Sequence, residues 1–162
     1  MKTYKIVEKW LSLGSTYIVR LLPNEQQIGV VKGRWLDFFP EFVYRNGREE
    51  VIFRLKGNFW RTTFILYDER NIELARFYLP FFYFFSKNFQ IQVQNTQLRV
   101  VGGFWALNFQ VLDEFNQEVF RVDKKFWALR DVFKLDVRED FDMRIALAAA
   151  VIVDERFHEK DN

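Results

Sequence analysis

With 162 residues, 49% of them hydrophobic and 28% charged, the chain is long enough to bury one core and too apolar to be disordered. It contains no cysteine, which excludes disulfides, thiolate metal sites and a cysteine nucleophile. The formal net charge is only +2; residues 1–76 carry 13 Lys/Arg against 9 Asp/Glu, and residues 126–162 carry 6 against 9. That mild polarity falls short of the basic footprint of a dedicated nucleic-acid binder.

The opening MKTYK leads into mixed polar sequence, so no secretory signal is expected. Alternating apolar and polar residues then predict strands at 17–22, 27–32, 50–55, 62–67 and 74–78, followed by 89–93, 97–101, 107–111, 118–122 and 133–137. FQIQV, for example, sets Phe89, Ile91 and Val93 on one face and Gln90 and Gln92 on the other. Turn residues separate the strands at Pro23-Asn24-Glu25, Asn46-Gly47, Asp68–Asn71, Asn95-Thr96, Gly102-Gly103 and Asp113–Asn116. Short strands at hairpin spacing, with no βαβ rhythm, indicate a sandwich or a barrel.

Two apolar segments stand apart. FYLPFFYFF, Phe77–Phe85, is far shorter than the ~20 residues of a spanning helix and is interrupted by Pro80. It is expected to be a core strand–turn–strand, with an aromatic membrane foot as the rival reading. Later, DMRIALAAAVIVDERF (142–157) predicts a helix started by Asp140 or Asp142, with Asp154-Glu155-Arg156 marking its exit to water. Its apolar residues occupy nearly the whole circumference, as a helix enclosed by a barrel requires.

Four stretches share an aromatic-hydrophobic entry, a short polar step and an alternating strand. They are KWLSLGSTYIV from Lys9, NFWRTTFIL from Asn58, GFWALNFQV from Gly103 and KFWALRDVFKLDV from Lys125. The tail from Lys124 to Phe157 carries a lysine-aromatic entry, Leu129-Arg130-Asp131, the strand Phe133–Val137 and an alanine-rich helix followed by Asp154. In these features it resembles the LURP-one-related family, which belongs with the tubby C-terminal-like and phospholipid scramblase-like folds. The resemblance extends over most of the chain through KWLSLGSTYIV and ELARF…FQIQV. It implies a mainly β fold, a closed tubby-like barrel of about twelve strands around a buried hydrophobic C-terminal helix, as one domain over residues 1–162.

Candidate chemistry is sparse. The sole histidine, His158, sits among acidic residues in an expected exposed tail, and Ser12, Ser15 and Ser86 lie in no nucleophile-elbow pattern. A small hydrolase is therefore a distant alternative, and no catalytic residue or enzyme activity is expected. Asp136, Glu139, Asp140 and Asp142 form an acidic group without the spacing of a calcium loop, so no metal and no cofactor are expected. Aromatic and basic residues mix around Lys32, Arg34, Trp35, Arg54, Lys56, Phe59, Trp60 and Arg61, but the aromatics are assigned to the core and no nucleic acid is expected.

Tubby-like proteins bind phosphoinositides, so the resemblance implies a use for a basic patch on the barrel. Lys32 with Arg34, and Arg54 with Lys56, are the candidate lipid-binding residues, because alternation exposes each pair on one strand face. The expected protein is a non-enzymatic binding or scaffold domain for anionic phospholipid headgroups, in the cytoplasm or peripheral to a membrane. The alternative is an intracellular protein-interaction module without lipid binding.

Overall fold

A computed structural model describes residues 1–11, 14–34, 37–80, 89–103, 108–124 and 132–157. Twelve strands form one closed antiparallel barrel. They are β1 (Lys2–Leu11), β2 (Gly14–Leu21), β3 (Gln26–Arg34), β4 (Glu41–Asn46), β5 (Val51–Gly57) and β6 (Thr63–Asp68), then β7 (Glu73–Tyr78), β8 (Gln90–Val93), β9 (Thr96–Gly103), β10 (Asn108–Leu112), β11 (Glu118–Asp123) and β12 (Val132–Val137). Each strand pairs with its sequence neighbours, and β1 closes on β12 from Lys2↔Val137 to Val7↔Val132. Closure leaves no edge to aggregate.

All ten predicted strands are present, with ends shifted by at most three residues, and β1 and β4 are additions. In an up-and-down barrel, odd-numbered strands end at one rim and even-numbered strands at the other. The four stretches of shared sequence pattern all lie where an odd strand gives way to an even one. Their repetition therefore describes one rim.

Helix α1 (Met143–Phe157) fills the lumen, with every residue from Ile145 to Glu155 buried. A barrel of eight strands fills itself with side chains; twelve open a lumen that needs a filler. Large rings from the wall (Tyr17, Phe42, Phe53, Phe64, Phe77, Phe120 and Phe133) close in on the helix. The helix answers with Ala146, Ala148, Ala149 and Ala150, all fully buried. Bulk on the wall and small residues on the helix reach interior packing density together. Asp142 is the N-cap: its Oδ1 accepts from Arg144 N at 3.0 Å, and its backbone carbonyl accepts from Ile145 N at 3.1 Å.

The expected exit to water at Asp154 is corrected. Asp154 and Glu155 are 2% and 8% exposed, because the barrel encloses another helical turn and supplies partners there. The Tyr17 hydroxyl lies 2.8 Å from Asp154 Oδ2 and 2.7 Å from Glu155 Oε1, while Lys124 Nζ reaches Asp154 Oδ1 at 3.3 Å. Of the aromatic run, Phe77, Leu79 and Pro80 are buried, and residues 81–85 lie outside the described residues.

Candidate functional site

With the lumen occupied, the surfaces open to a ligand are the outer wall and the rims. Alternation turns Val31, Phe42, Tyr44, Phe53 and Leu55 inward on β3–β5 and the four predicted basic residues outward. Strand register sets Lys32 beside Val43 and Val43 beside Arg54, and likewise Arg34 beside Glu41 and Glu41 beside Lys56. All four thus occupy one three-strand patch, with each β3 cation two strands, or roughly 10 Å, from its β5 counterpart.

Gly33, at the inward position between the outward Lys32 and Arg34, leaves room inside the barrel for the Phe42 ring. Phe42 lies over it so closely that a Cβ there would come within 1.8 Å of the ring. A groove of about 670 Å³ runs along this wall, lined by Thr16, Lys32, Arg34, Asp37, Phe39 and Glu41 among the described residues. Lys32 also borders a second hollow of about 270 Å³ that includes Arg45 and Glu49.

The four cations are not equivalent. Lys32 and Arg34 share the larger groove, whereas Arg54 and Lys56 do not line it. Arg54 Nη1 lies 3.6 Å from Glu41 Oε1, and Lys56 Nζ sits 5.8 Å from the centre of the Tyr67 ring on β6. Arg34 meets Asp37 at 4.0 Å with its side chain 73% exposed. Such exposed pairs hold their partners weakly, so a stronger anion can displace Asp37 or Glu41.

The rim beside this patch carries aromatics that composition alone assigns to the core. Phe38, Phe39 and Trp60 are 75%, 67% and 62% exposed, and Phe59 is 44% exposed. Phe38 stacks on Phe59 at 6.1 Å and Phe59 meets Trp60 edge-on at 5.1 Å, joining the β3–β4 and β5–β6 connections. Arg61 clamps the two by donating from Nη2 to Asp37 O at 2.9 Å and from Nη1 to Phe59 O at 3.1 Å.

Asn58 fixes the second connection: its Oδ1 accepts from Thr62 N and Thr63 N, and its backbone carbonyl accepts from Arg61 N. Arg61 is held at φ 56°. At the opposite rim Asn46, Asp68 and Asp113 build turns in the same way, each side chain accepting from the amides two and four residues on. Their third followers, Glu49, Asn71 and Asn116, take positive φ. Asn58 is the member of this set that sequence spacing does not reveal, because its turn is one residue longer.

Other sequence candidates resolve into structural roles. Asp136 Oδ1 accepts from Thr3 Oγ1 at 2.6 Å, and Oδ2 meets Lys134 at 3.3 Å. Asp140 pairs with Arg138, and Asp142 caps the helix while chelating the Arg144 guanidinium. Glu139 is exposed, and among the described residues no cluster of three His, Cys, Asp or Glu is placed to hold a metal. Ser15 is buried on β2, while Ser12, Ser86, Trp35 and His158 lie outside the described residues.

Buried on every side, the Tyr17 hydroxyl has its pKa pushed well above the usual value. Burial contributes most, and the negative charges of Asp154, Glu155 and Glu8 add to it. It stays a neutral donor tying helix to wall.

No helix among the described residues is long and apolar enough to cross a membrane. The outer row Arg34–Glu41–Lys56–Ile65–Arg76–Gln92–Gln97, read across β3 to β9, is mostly polar. A membrane-spanning barrel needs the reverse, an apolar outward band.

No curated protein sequence matches this chain significantly. A crystal structure of a protein from Arabidopsis thaliana is similar in fold, with a TM-score of 0.66 at 14% identity, covering 95% of this chain and 91% of that one. The family model described as LURP-one-related matches residues 2–154, which takes in all twelve strands and the helix as far as its buried Asp154. The chain belongs to the LURP-one-related family.

Proposed function

We propose that this protein is a non-enzymatic binding domain that docks on anionic phospholipid headgroups through the β3–β5 wall. The observation that carries the reading is the shared groove of Lys32 and Arg34, with Arg54 and Lys56 one strand beyond β4. Four cations there outnumber Asp37 and Glu41, and both carboxylates hold their partners through exposed contacts that phosphate can replace. A patch of this kind suits a membrane surface, where each well-placed Lys or Arg contributes roughly 1 kcal/mol.

Co-sedimentation with vesicles of graded phosphatidylserine or phosphoinositide content, over a series of salt concentrations, tests this. Binding should rise with anionic lipid and fall steeply with salt. Replacing Lys32 and Arg34 by Gln should weaken it about thirtyfold, the equivalent of roughly 2 kcal/mol. Absence of binding to anionic vesicles at low salt would refute the reading and favour a protein partner on the same wall.

A further inference from the structure

We infer that the aromatic rim formed by Phe38, Phe39, Phe59 and Trp60 is a membrane foot that enters the interfacial zone of the bilayer while the basic wall engages the headgroups. This deepens, and rests on, the headgroup reading above. Single exposed apolar residues need no explanation, and Ile72 and Phe115, in separate turns at the opposite rim, are of that kind. These aromatics differ because Phe38, Phe59 and Trp60 form one ring cluster across two connections, with Phe38 on Phe59 and Phe59 on Trp60, and the exposed Phe39 follows Phe38 in the chain.

The cluster is also held in place rather than left by chance. Asn58 satisfies the amides of Thr62 and Thr63, Arg61 ties its own loop to Asp37, and Gly57 N donates to Pro40 O at 2.8 Å. A fixed tip carrying aromatic rings loses little conformational entropy on insertion.

Its surroundings select the occupant. Arg34 and Lys56 are the last or next-to-last residues of β3 and β5, so the cations sit immediately behind the aromatic tips. Phe39 itself lines the groove with Lys32 and Arg34. Rings ahead of cations match the order a protein meets at an anionic bilayer, with the acyl boundary below the phosphates. Docking would point this rim toward the membrane and the hairpin turns of the other rim away from it.

The test compares the intact protein with the triple variant Phe38→Ser, Phe39→Ser, Trp60→Ser, and with Lys32→Gln, Arg34→Gln. The three aromatics are mostly exposed, so the triple variant should keep the wild-type melting temperature. On phosphatidylserine vesicles it should bind at least about tenfold more weakly while keeping the salt dependence of the wild type. Brominated acyl chains should quench the fluorescence component that Trp60→Phe removes.

Wild-type affinity in the triple variant, with no quenching of that component, would overturn the foot; loss of binding in the charge variant alone would then leave the headgroup reading standing. Failure of every form to bind any vesicle would overturn both. A wild-type dimer in gel filtration that the triple variant loses, with vesicle binding unchanged, would assign the cluster to a second copy of the chain and refute insertion.

Discussion

Alkali should unfold this barrel in a way that two interior tyrosines account for. Tyr44 is 3% exposed, and burial, helped by Tyr4, raises its pKa from 10.0 to about 12. Tyr17 is fully buried and its pKa is raised in the same direction, by burial first and then by the charges of Asp154, Glu155 and Glu8. The native state therefore keeps two phenolic protons that the unfolded chain releases above pH 10. This contribution is fully present below pH 10 and is lost for Tyr44 as pH rises to about 12.

At roughly 1.4 kcal/mol per pH unit and per proton, Tyr44 accounts for about 3 kcal/mol over that interval, and Tyr17 adds a loss of the same sign. The Tyr44 contribution alone is more than half of the lower end of a domain's total stability of roughly 5–15 kcal/mol. Urea unfolding followed by circular dichroism at pH 8, 10, 11 and 12 measures the loss. Tyr44→Phe should gain about 3 kcal/mol on the wild type between pH 8 and 12, since other titrations are common to both chains. Tyr17→Phe should start about 2 kcal/mol less stable at pH 8, having lost its donor to buried carboxylates, and then fall more slowly. Parallel loss in the wild type and both variants would refute the claim that burial keeps these rings protonated.

Gly33→Ala should destabilise by about 2–3 kcal/mol, because the new Cβ falls 1.8 Å from Phe42. Gly47→Ala, with nothing within 4 Å of its Cβ, should be neutral or slightly stabilising; equal effects in thermal melts would contradict the packing account. Asp142→Ala removes the N-cap and the chelated Arg144 partner and should lower stability by about 1–2 kcal/mol in denaturant titration. An unchanged midpoint would mean that barrel enclosure alone sets the helix start.

Much of the barrel is legible in the sequence because a strand with one wet face writes its period directly. Leu135 and Val137 point in while Lys134 and Asp136 stay at the surface, as FKLDV implies. β1 escapes that pattern because Glu8, a charged residue, points inward, and β4 because outward Val43 sits between Phe42 and Tyr44 in an unbroken apolar run. The end of the helix is misread for a related reason. Asp-Glu-Arg normally marks water, and the hydroxyl that keeps Asp154 inside belongs to a residue 137 positions earlier. The basic pairs on β3 and β5 are legible singly, but their union depends on β4, whose register no local pattern contains.

The aromatics divide along the same line between local and assembled information. Twenty phenylalanines suggest a core, and the wall rings around the alanine helix use many of them for that. Packing explains Phe42 or Phe133, which have nowhere else to go. It does not explain Phe38, Phe39 or Trp60, which bury little and leave apolar surface in water. Nor does loop geometry require them, since the Asn58 turn is made by backbone amides and one carboxamide, indifferent to whether its tip is Phe-Trp or Ser-Gly. Among the described residues the lumen is taken up by the chain's own buried helix, and the grooves they line lie on the exterior. There, among the described residues, a ring cluster at the rim and the cations behind it are features stability does not demand, and their adjacency supports the membrane docking proposed above.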